Sequence, residues 1–362
     1  MGETALSPKA YYSARPTLRV AGQPDARAAE LLRSMRVEED EGGMSRCELR
    51  FANIASTTDG GAEEAFGSNS TLKLGAELGV YAGDVTQPTE IFRGKVTALE
   101  ADYKIGGPPE FTVLAEDSLQ GARMARRSKV YTDKSPADVV RGIASGLGLT
   151  PTITGLSSPT GTWAQINESD LAFLRRLLAR FDADLQIVGT ELQVSPRGDV
   201  RRGAVELSLF SQLVRARVTA DLANQVSKVT TSGWDPAQGS AVSHEATQAT
   251  HAGPGSGKKG KDWLTQALSD RGEHIGHLVV STDAEARAVA EAAFDQRARR
   301  FVCIDGISEG NPKLRVGTHV TVNGMSKRWD NTYYLVQACH LFDLRQGYRT
   351  EFRGECAFLG EG

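Results

Sequence analysis

WAQINESDLAFLRRLLARFDADLQIVGTELQV, Trp163 to Val194, reads as a helix followed by a hairpin. Leu171, Leu174, Leu178 and Phe181 recur at helical spacing and make one apolar stripe, with Arg175, Arg176 and Arg180 on the opposite side. Glu168 and Asp170 stand at the start of that helix, where carboxylates favour the positive end of the dipole. The next residues, DLQIVGTELQVSP, predict a tight hairpin turning near Gly189.

Upstream, SPADVVRGIASGLGL predicts a second helix: Ser135 is a natural N-cap, Pro136 suits the first helical position, and Val139, Val140, Ile143 and Leu147 form its apolar face. An α/β unit over residues 121–205 follows. On either side the text is strand-rich. Residues 16–120 contain PTLRV, LLRSMRVEED, SRCELRF, KLGAELGVYAG, EIFRGKVTALEADY and EFTVLAED, separated by Gly, Pro and Asp breaks. Residues 206–358 contain LVRARVTA, QVSKVTTSGW, LRVGTHVTV, YYLVQACHLF and YRTEFRGECAF. Within that second block, a long exposed loop is expected at about 235–262, poor in apolar residues. A helix is expected at about 283–300, opened by the capping-box pattern Thr282-Asp283-Ala284-Glu285. An N-terminal arm (1–15) and a short tail (359–362) complete the division.

The two strand-rich blocks echo each other. Gly75 to Phe92 and Gly317 to Tyr334 have the same spacing. Each glycine is followed by a strand (Leu78, Val80 against Val320, Val322), a turn, and an aromatic-led strand (Phe92, Val96 against Tyr334, Ala338). The fold class expected is α+β and mainly β: two similar tube-like antiparallel β-barrels with an inserted α/β domain, closure of a sheet being the simplest way to remove its edges. Two such barrels per chain in a trimer would surround one axis with approximate sixfold symmetry.

Composition narrows the function. The 362 residues carry 42 Lys+Arg against 45 Asp+Glu, so no global field draws the chain to nucleic acid or to an anionic membrane. Cys47, Cys303, Cys339 and Cys356 have neither disulfide-framework nor zinc-ribbon spacing and are expected as buried thiols. No stretch has the apolar length of a signal peptide or a membrane span, so synthesis in the cytoplasm and no membrane insertion are expected.

Sites for chemistry are scarce. GSGKKGKD, Gly255 to Asp262, imitates a phosphate loop but has Asp262 where Ser or Thr must hold magnesium, and no apolar strand precedes it. His274 and His277 read as loop histidines rather than metal ligands. The acidic run Glu38 to Glu41 reads as a solvated turn, and the basic clusters Ala122 to Lys129 and Arg197 to Arg202 as solvated or as contacts for acidic partner surfaces. No nucleophile elbow or HExxH is present. No catalytic residue, cofactor or metal is expected, and the chain is read as a non-enzyme.

In its central block the chain resembles late control protein D of contractile phages, the baseplate hub family that also forms the N-terminal part of VgrG spikes. The resemblance spans roughly Pro16 to Phe358 and rests most on Gln165, Asn167, Glu168, Asp170, Phe173, Arg176 and Leu177, which sit on the family's Q-x-N/R-E-S/T-D-x-x-F-x-x-R-L pattern. It implies a structural component of a phage tail, tailocin or other injection particle: a homotrimeric ring with a channel, one face on a hexameric inner tube and the other on a spike. The chain has no room after the second barrel for an OB-fold or needle, so the spike is expected to be a separate protein. Baseplate wedge and tape-measure proteins are further candidate partners. The rival readings are a β-rich binding module on a tail and a cell-wall hydrolase.

Overall fold

A computed structural model describes residues 15–56, 61–84, 87–200 and 202–361, so the expected N-terminal arm lies outside the described residues except for Arg15. The first lobe contains strand β1 (Thr17–Val20), helix α1 (Ala26–Leu31) and strands β2 (Leu32–Asp40), β3 (Arg46–Ala52), β4 (Glu77–Gly83), β5 (Pro88–Asp102) and β6 (Glu110–Glu116). Alternation makes these strands two-faced: in β3, Cys47, Leu49 and Phe51 point inward while Arg46, Glu48 and Arg50 point out. They lie antiparallel in the order β1-β4-β5-β6-β3-β2 and wrap a core that includes Leu18, Val37, Leu49, Phe51, Val80, Ile91 and Val113.

The inserted unit follows as β7 (Arg126–Lys134), α2 (Pro136–Gly146), β8 (Thr150–Ile153), β9 (Gly161–Ser169), α3 (Asp170–Ala179), β10 (Ala183–Val188) and β11 (Glu191–Pro196). Ser135 caps α2 reciprocally: its hydroxyl accepts from the Asp138 amide, and the Asp138 carboxylate accepts from the Ser135 amide, both at 3.2 Å. Val139, Val140, Ile143, Leu171, Leu174, Leu178 and Leu185 share one core. The β10–β11 hairpin turns at Gly189, whose φ of +62° suits glycine.

The second lobe begins with β12 (Ala204–Ser208) and β13 (Leu213–Ala220). A further α/β piece comes next: β14 (Lys228–Asp235), β15 (Ser240–Ala246), α4 (Gly260–Ala267), β16 (Gly272–Ile275) and α5 (Asp283–Arg299). The lobe closes with β17 (Val302–Glu309), β18 (His319–Asn323), β19 (Asn331–Asp343) and β20 (Gly347–Cys356). The loop expected at about 235–262 is corrected here. Its Ser240–Ala246 part is a strand paired with β14, and its last residues begin α4. Only Val242 and Ala246 of β15 are buried, against Val229, Ile275, Val289 and Phe294, because the strand needs one narrow apolar edge to seat α5. That is too sparse a pattern to read as sheet. Residue 359, placed in the tail, pairs instead with Lys258.

The second lobe repeats the first strand for strand, in the order β12-β18-β19-β20-β17-β13. Even the irregularities recur. The β5–β6 ladder shifts register between Val96 and Ala98, and the β19–β20 ladder shifts between Leu335 and Gln337. The β2–β3 ladder shifts between Leu32 and Ser34, and the β13–β17 ladder between Leu213 and Arg215. Gly75 and Gly317 are true counterparts: both have positive φ, and their amides donate to Val96 at 2.8 Å and Leu335 at 2.9 Å. Phe92 and Tyr334 are not. The first hairpin is three residues longer between glycine and bulge, so Tyr334 occupies the ladder position of Lys95. One pairing differs: β1 runs antiparallel to β4, β12 parallel to β18.

The two lobes are joined edge to edge. Ser34–Asp40 of β2 pairs antiparallel with Gln337–Asp343 of β19, making one thirteen-stranded sheet. Phe342 and Tyr348 of the second lobe enter the core of the first.

Candidate functional site

The motif residues read from sequence come together at the corner where β9 turns into α3. Gln165 is buried and its amide donates to the Asp170 carboxylate at 2.9 Å and to the Glu168 carbonyl at 3.0 Å. Asp170, itself buried, also faces the Arg127 guanidinium at 3.4 Å. Glu168 forms an ion pair with Arg176, whose guanidinium donates to the Ala164 carbonyl at 2.7 Å. Asn167 takes the left-handed turn at φ +48°, and Ser128 accepts from its amide. Phe173 stacks on Tyr131 with ring centroids 5.5 Å apart, the Arg176 guanidinium lies over the Phe173 ring, and Leu177 lies in the same core. Every polar member either caps or clamps the bend, so the arrangement positions a helix.

A second constellation lies where the lobes and the inserted unit meet. Asp182, just after α3, accepts from Arg197 at 2.7 Å and from Arg299 at 2.8 Å. Arg197 also binds Glu41, and Arg299 faces Glu355 at 3.8 Å. Asp184 accepts from Arg202 at 2.7 Å, and Arg315 of the second lobe pairs with Glu39 of β2. Arg180 reaches Glu285 at the start of α5, and the Arg175 guanidinium donates to the carbonyls of Gly42 and Gly43, both at 2.7 Å. Burial disfavours the Arg197 cation, but Glu41 and Asp182 hold it well above its ordinary range. Arg299 is likewise raised against burial, by Asp182. Alternating charges thus bind β2, the inserted unit, α5 and β20 into one ionic junction.

Three sequence expectations are corrected by this junction. Glu38 to Glu41 is no solvated turn: Glu39 is buried at the end of β2 and Glu41 is engaged by Arg197. Arg197 and Arg202 are interior cations rather than a surface cluster, while Arg201 lies outside the described residues. Arg175 and Arg180 do not simply face away, because their long stems carry the charge across to neighbouring elements. All these pairs join residues far apart in sequence, and only an excess of Arg and acid near helix and strand ends hints at them.

The weaker candidates have structural roles. The phosphate-loop lookalike leads into α4, where a side chain on Gly260 would strike Gln225 and Phe301 and the Lys261 amine donates to the Thr247 carbonyl. His274 sits in β16, 3.1 Å from the Thr230 hydroxyl. Among the described residues no group of three His, Cys, Asp or Glu side chains is placed to hold a metal, and no helix is long and apolar enough to cross a membrane. Cys47, Cys339 and Cys356 are buried and Cys303 is partly so, all as free thiols.

Asp117 and His340 respond to pH in opposite senses, and Glu41 and Asp295, raised by burial to about 7 and about 6, respond as Asp117 does. Burial pushes Asp117 up to about 6 although the amides of Ser45 and Leu119 donate to it at 2.7 and 2.9 Å. A raised carboxyl favours the folded state below its unfolded value, and that contribution is lost as pH rises through about 6. Burial lowers His340 to about 3, so the folded state loses stability as pH falls below the ordinary histidine range. The two slopes oppose each other between the unfolded Asp value and about 6. Asp117→Asn is expected to remove one of the opposing carboxyls and so add, relative to wild type, acid sensitivity of up to about 1.4 kcal/mol per pH unit in that window. Urea midpoints measured across it check this; a profile parallel to wild type counts against it.

This fold is shared with phage tail proteins and with a component of a type VI secretion system. The 43 kDa tail protein of prophage MuSo2 from Shewanella oneidensis aligns with TM-score 0.69 and 12% identity over 94% of this chain and 97% of that one. A tail protein from Neisseria meningitidis MC58 aligns with TM-score 0.64 and 11% identity over 95% and 96%. The E. coli c3393 protein, a component of the type VI secretion system described as similar to T4 bacteriophage tail proteins gp27 and gp5, aligns with TM-score 0.60 and 10% identity over 95% and 79%. The chain belongs to the family described as the Alg8 N-terminal domain, whose model matches residues 44–343. No curated protein matches it in sequence.

Proposed function

We propose that this chain is the structural hub of a contractile injection particle, whether phage tail, tailocin or extracellular injection system. It forms a homotrimeric ring of approximate sixfold symmetry that adapts a hexameric inner tube to a spike. The observation that carries this reading is the duplication of the lobes down to their bulges. Two equivalent units per chain let three chains offer six similar surfaces, which is how threefold and sixfold partners can share an axis. The domains are residues 16–120, 121–203 and 204–358, the last beginning with β12, with the Gln165–Leu177 corner as the fixed bend of the middle one. The role is mechanical rather than enzymatic, and the chain is made in the bacterial cytoplasm before assembly into the particle with tube, spike, wedge and tape-measure proteins.

Size-exclusion chromatography with light scattering, on the chain alone and with a candidate tube or spike subunit, tests this. A mass near three times 38.9 kDa, about 117 kDa, is expected. A particle image that places the chain away from the central axis removes the hub reading.

A further inference from the structure

The joint between the lobes has an unfilled counterpart. Inside the chain, β2 of the first lobe lies on Gln337–Asp343 of β19. By the duplication, β13 is the second-lobe equivalent of β2, and residues 98–104 are the first-lobe equivalent of Gln337–Asp343. Among the described residues neither of these edges pairs with another strand: β13 ends the sheet path, and β4 pairs with β5 only as far as Lys95.

Exposure shows what each edge lacks. In the second lobe, Ala338, His340 and Phe342 are buried beneath β2. Their counterparts Leu99, Ala101 and Tyr103 are open, Leu99 at 37% and Tyr103 at 66%. On the other edge, Met35, Val37 and Glu39 of β2 are buried, while their counterparts Ala216, Val218 and Ala220 are only half covered. Arg217 makes no ion pair among the described residues, Glu100 is exposed, and Asp102 pairs only with the exposed Lys104, at 2.6 Å, among the described residues.

We infer that β13 of one copy pairs antiparallel with residues 98–104 of the next copy, repeating between chains the β2–β19 joint within the chain. Transferring the observed register sets Leu99 opposite Ala220, Ala101 opposite Val218 and Tyr103 opposite Ala216, so the bare apolar side chains meet one another. On the other face Glu100 meets Thr219 and Asp102 meets Arg217, with Glu100 diagonal to Arg217. An apolar layer faces an apolar layer, and Glu100 and Asp102 lie against Thr219 and Arg217, while Lys104, the partner of Asp102 within its own chain, falls opposite Arg215 at the end of the pairing. Because the two edges differ, the contact is head to tail, and it closes into a ring or runs on as a filament. The occupant is therefore a second copy of this chain; the number three rests on the hub reading above.

Cysteine cross-linking tests the register in the full chain. Cys303 lies opposite Thr219, so Cys303→Ser removes the nearby thiol. In that background one chain carries Asp102→Cys and another Arg217→Cys. Oxidation is expected to link the two chains when mixed and to give far less product from either alone. A chain carrying both is expected to give a ladder that stops at three copies. A ladder that stops elsewhere keeps the pairing and overturns the threefold hub. A trimeric mass without cross-links overturns the pairing and leaves the hub reading standing. No cross-link at the highest soluble concentration overturns the pairing whatever the mass. As a second readout, Arg217→Asp is expected to weaken association several-fold, and Asp102→Arg in the same chain to restore it.

Discussion

Asp182→Asn is expected to destabilise the protein by about 3–5 kcal/mol, the usual loss when one member of a buried charge cluster is neutralised. Asp182 is buried between two guanidinium groups, Arg197 and Arg299, whose side chains are 13% and 6% exposed. With its charge removed, Arg197 keeps Glu41, but Arg299 is left with Glu355 at 3.8 Å as its nearest carboxylate. Asparagine fits the φ of +48° there as well as aspartate does, so backbone strain does not contribute. The comparison is Glu48→Gln, which breaks the exposed Arg50–Glu48 pair at 2.7 Å and is expected to cost under about 1 kcal/mol. Urea titration of both variants with unchanged transition slope decides the matter. Equal losses would mean that the junction is solvated and does not tie the lobes together.

Much of this architecture was legible because its signals are local. The stripe Leu171, Leu174, Leu178 is a three-dimensional face written along a single helix, and Ser135 with Pro136 announces a helix start within four residues. The glycine echo was also readable, since Gly75 and Gly317 each hold a left-handed turn that other residues resist. What stayed hidden depends on partners far along the chain. Glu39 looks like a surface acid until Arg315 covers it, and β15 looks like a loop until α5 supplies its other wall. The same limit explains the aromatic misalignment: Phe92 and Tyr334 are both buried aromatics, but the hairpin lengths that set their phase cannot be counted before the bulges are seen. The motif corner was found as a set of residues, whereas the reason for Gln165, a buried amide holding Asp170 at the helix start, needed the fold.

Leu174→Asp is expected to prevent folding at neutral pH, with a loss above about 4–5 kcal/mol, because it places a carboxylate where no solvent reaches. Leu174 is fully buried on α3 among the apolar side chains of the inserted unit. Two effects combine in this variant, a lost apolar side chain and a buried charge, and they separate by comparison. Leu174→Ala carries only the first and is expected to cost about 2–5 kcal/mol. Leu174→Asp adds the charge, and burial raises the carboxyl of such a residue above its unfolded value, so protonation favours the folded state. Its stability should therefore recover toward that of Leu174→Ala as pH falls from the raised folded value down to the usual carboxylate range, while Leu174→Asn shows no such recovery. Circular dichroism melts of the three variants across that range read the difference directly. If Leu174→Asp melts like Leu174→Ala at neutral pH, water reaches this face of α3, and the helix does not anchor the inserted unit as its packing indicates.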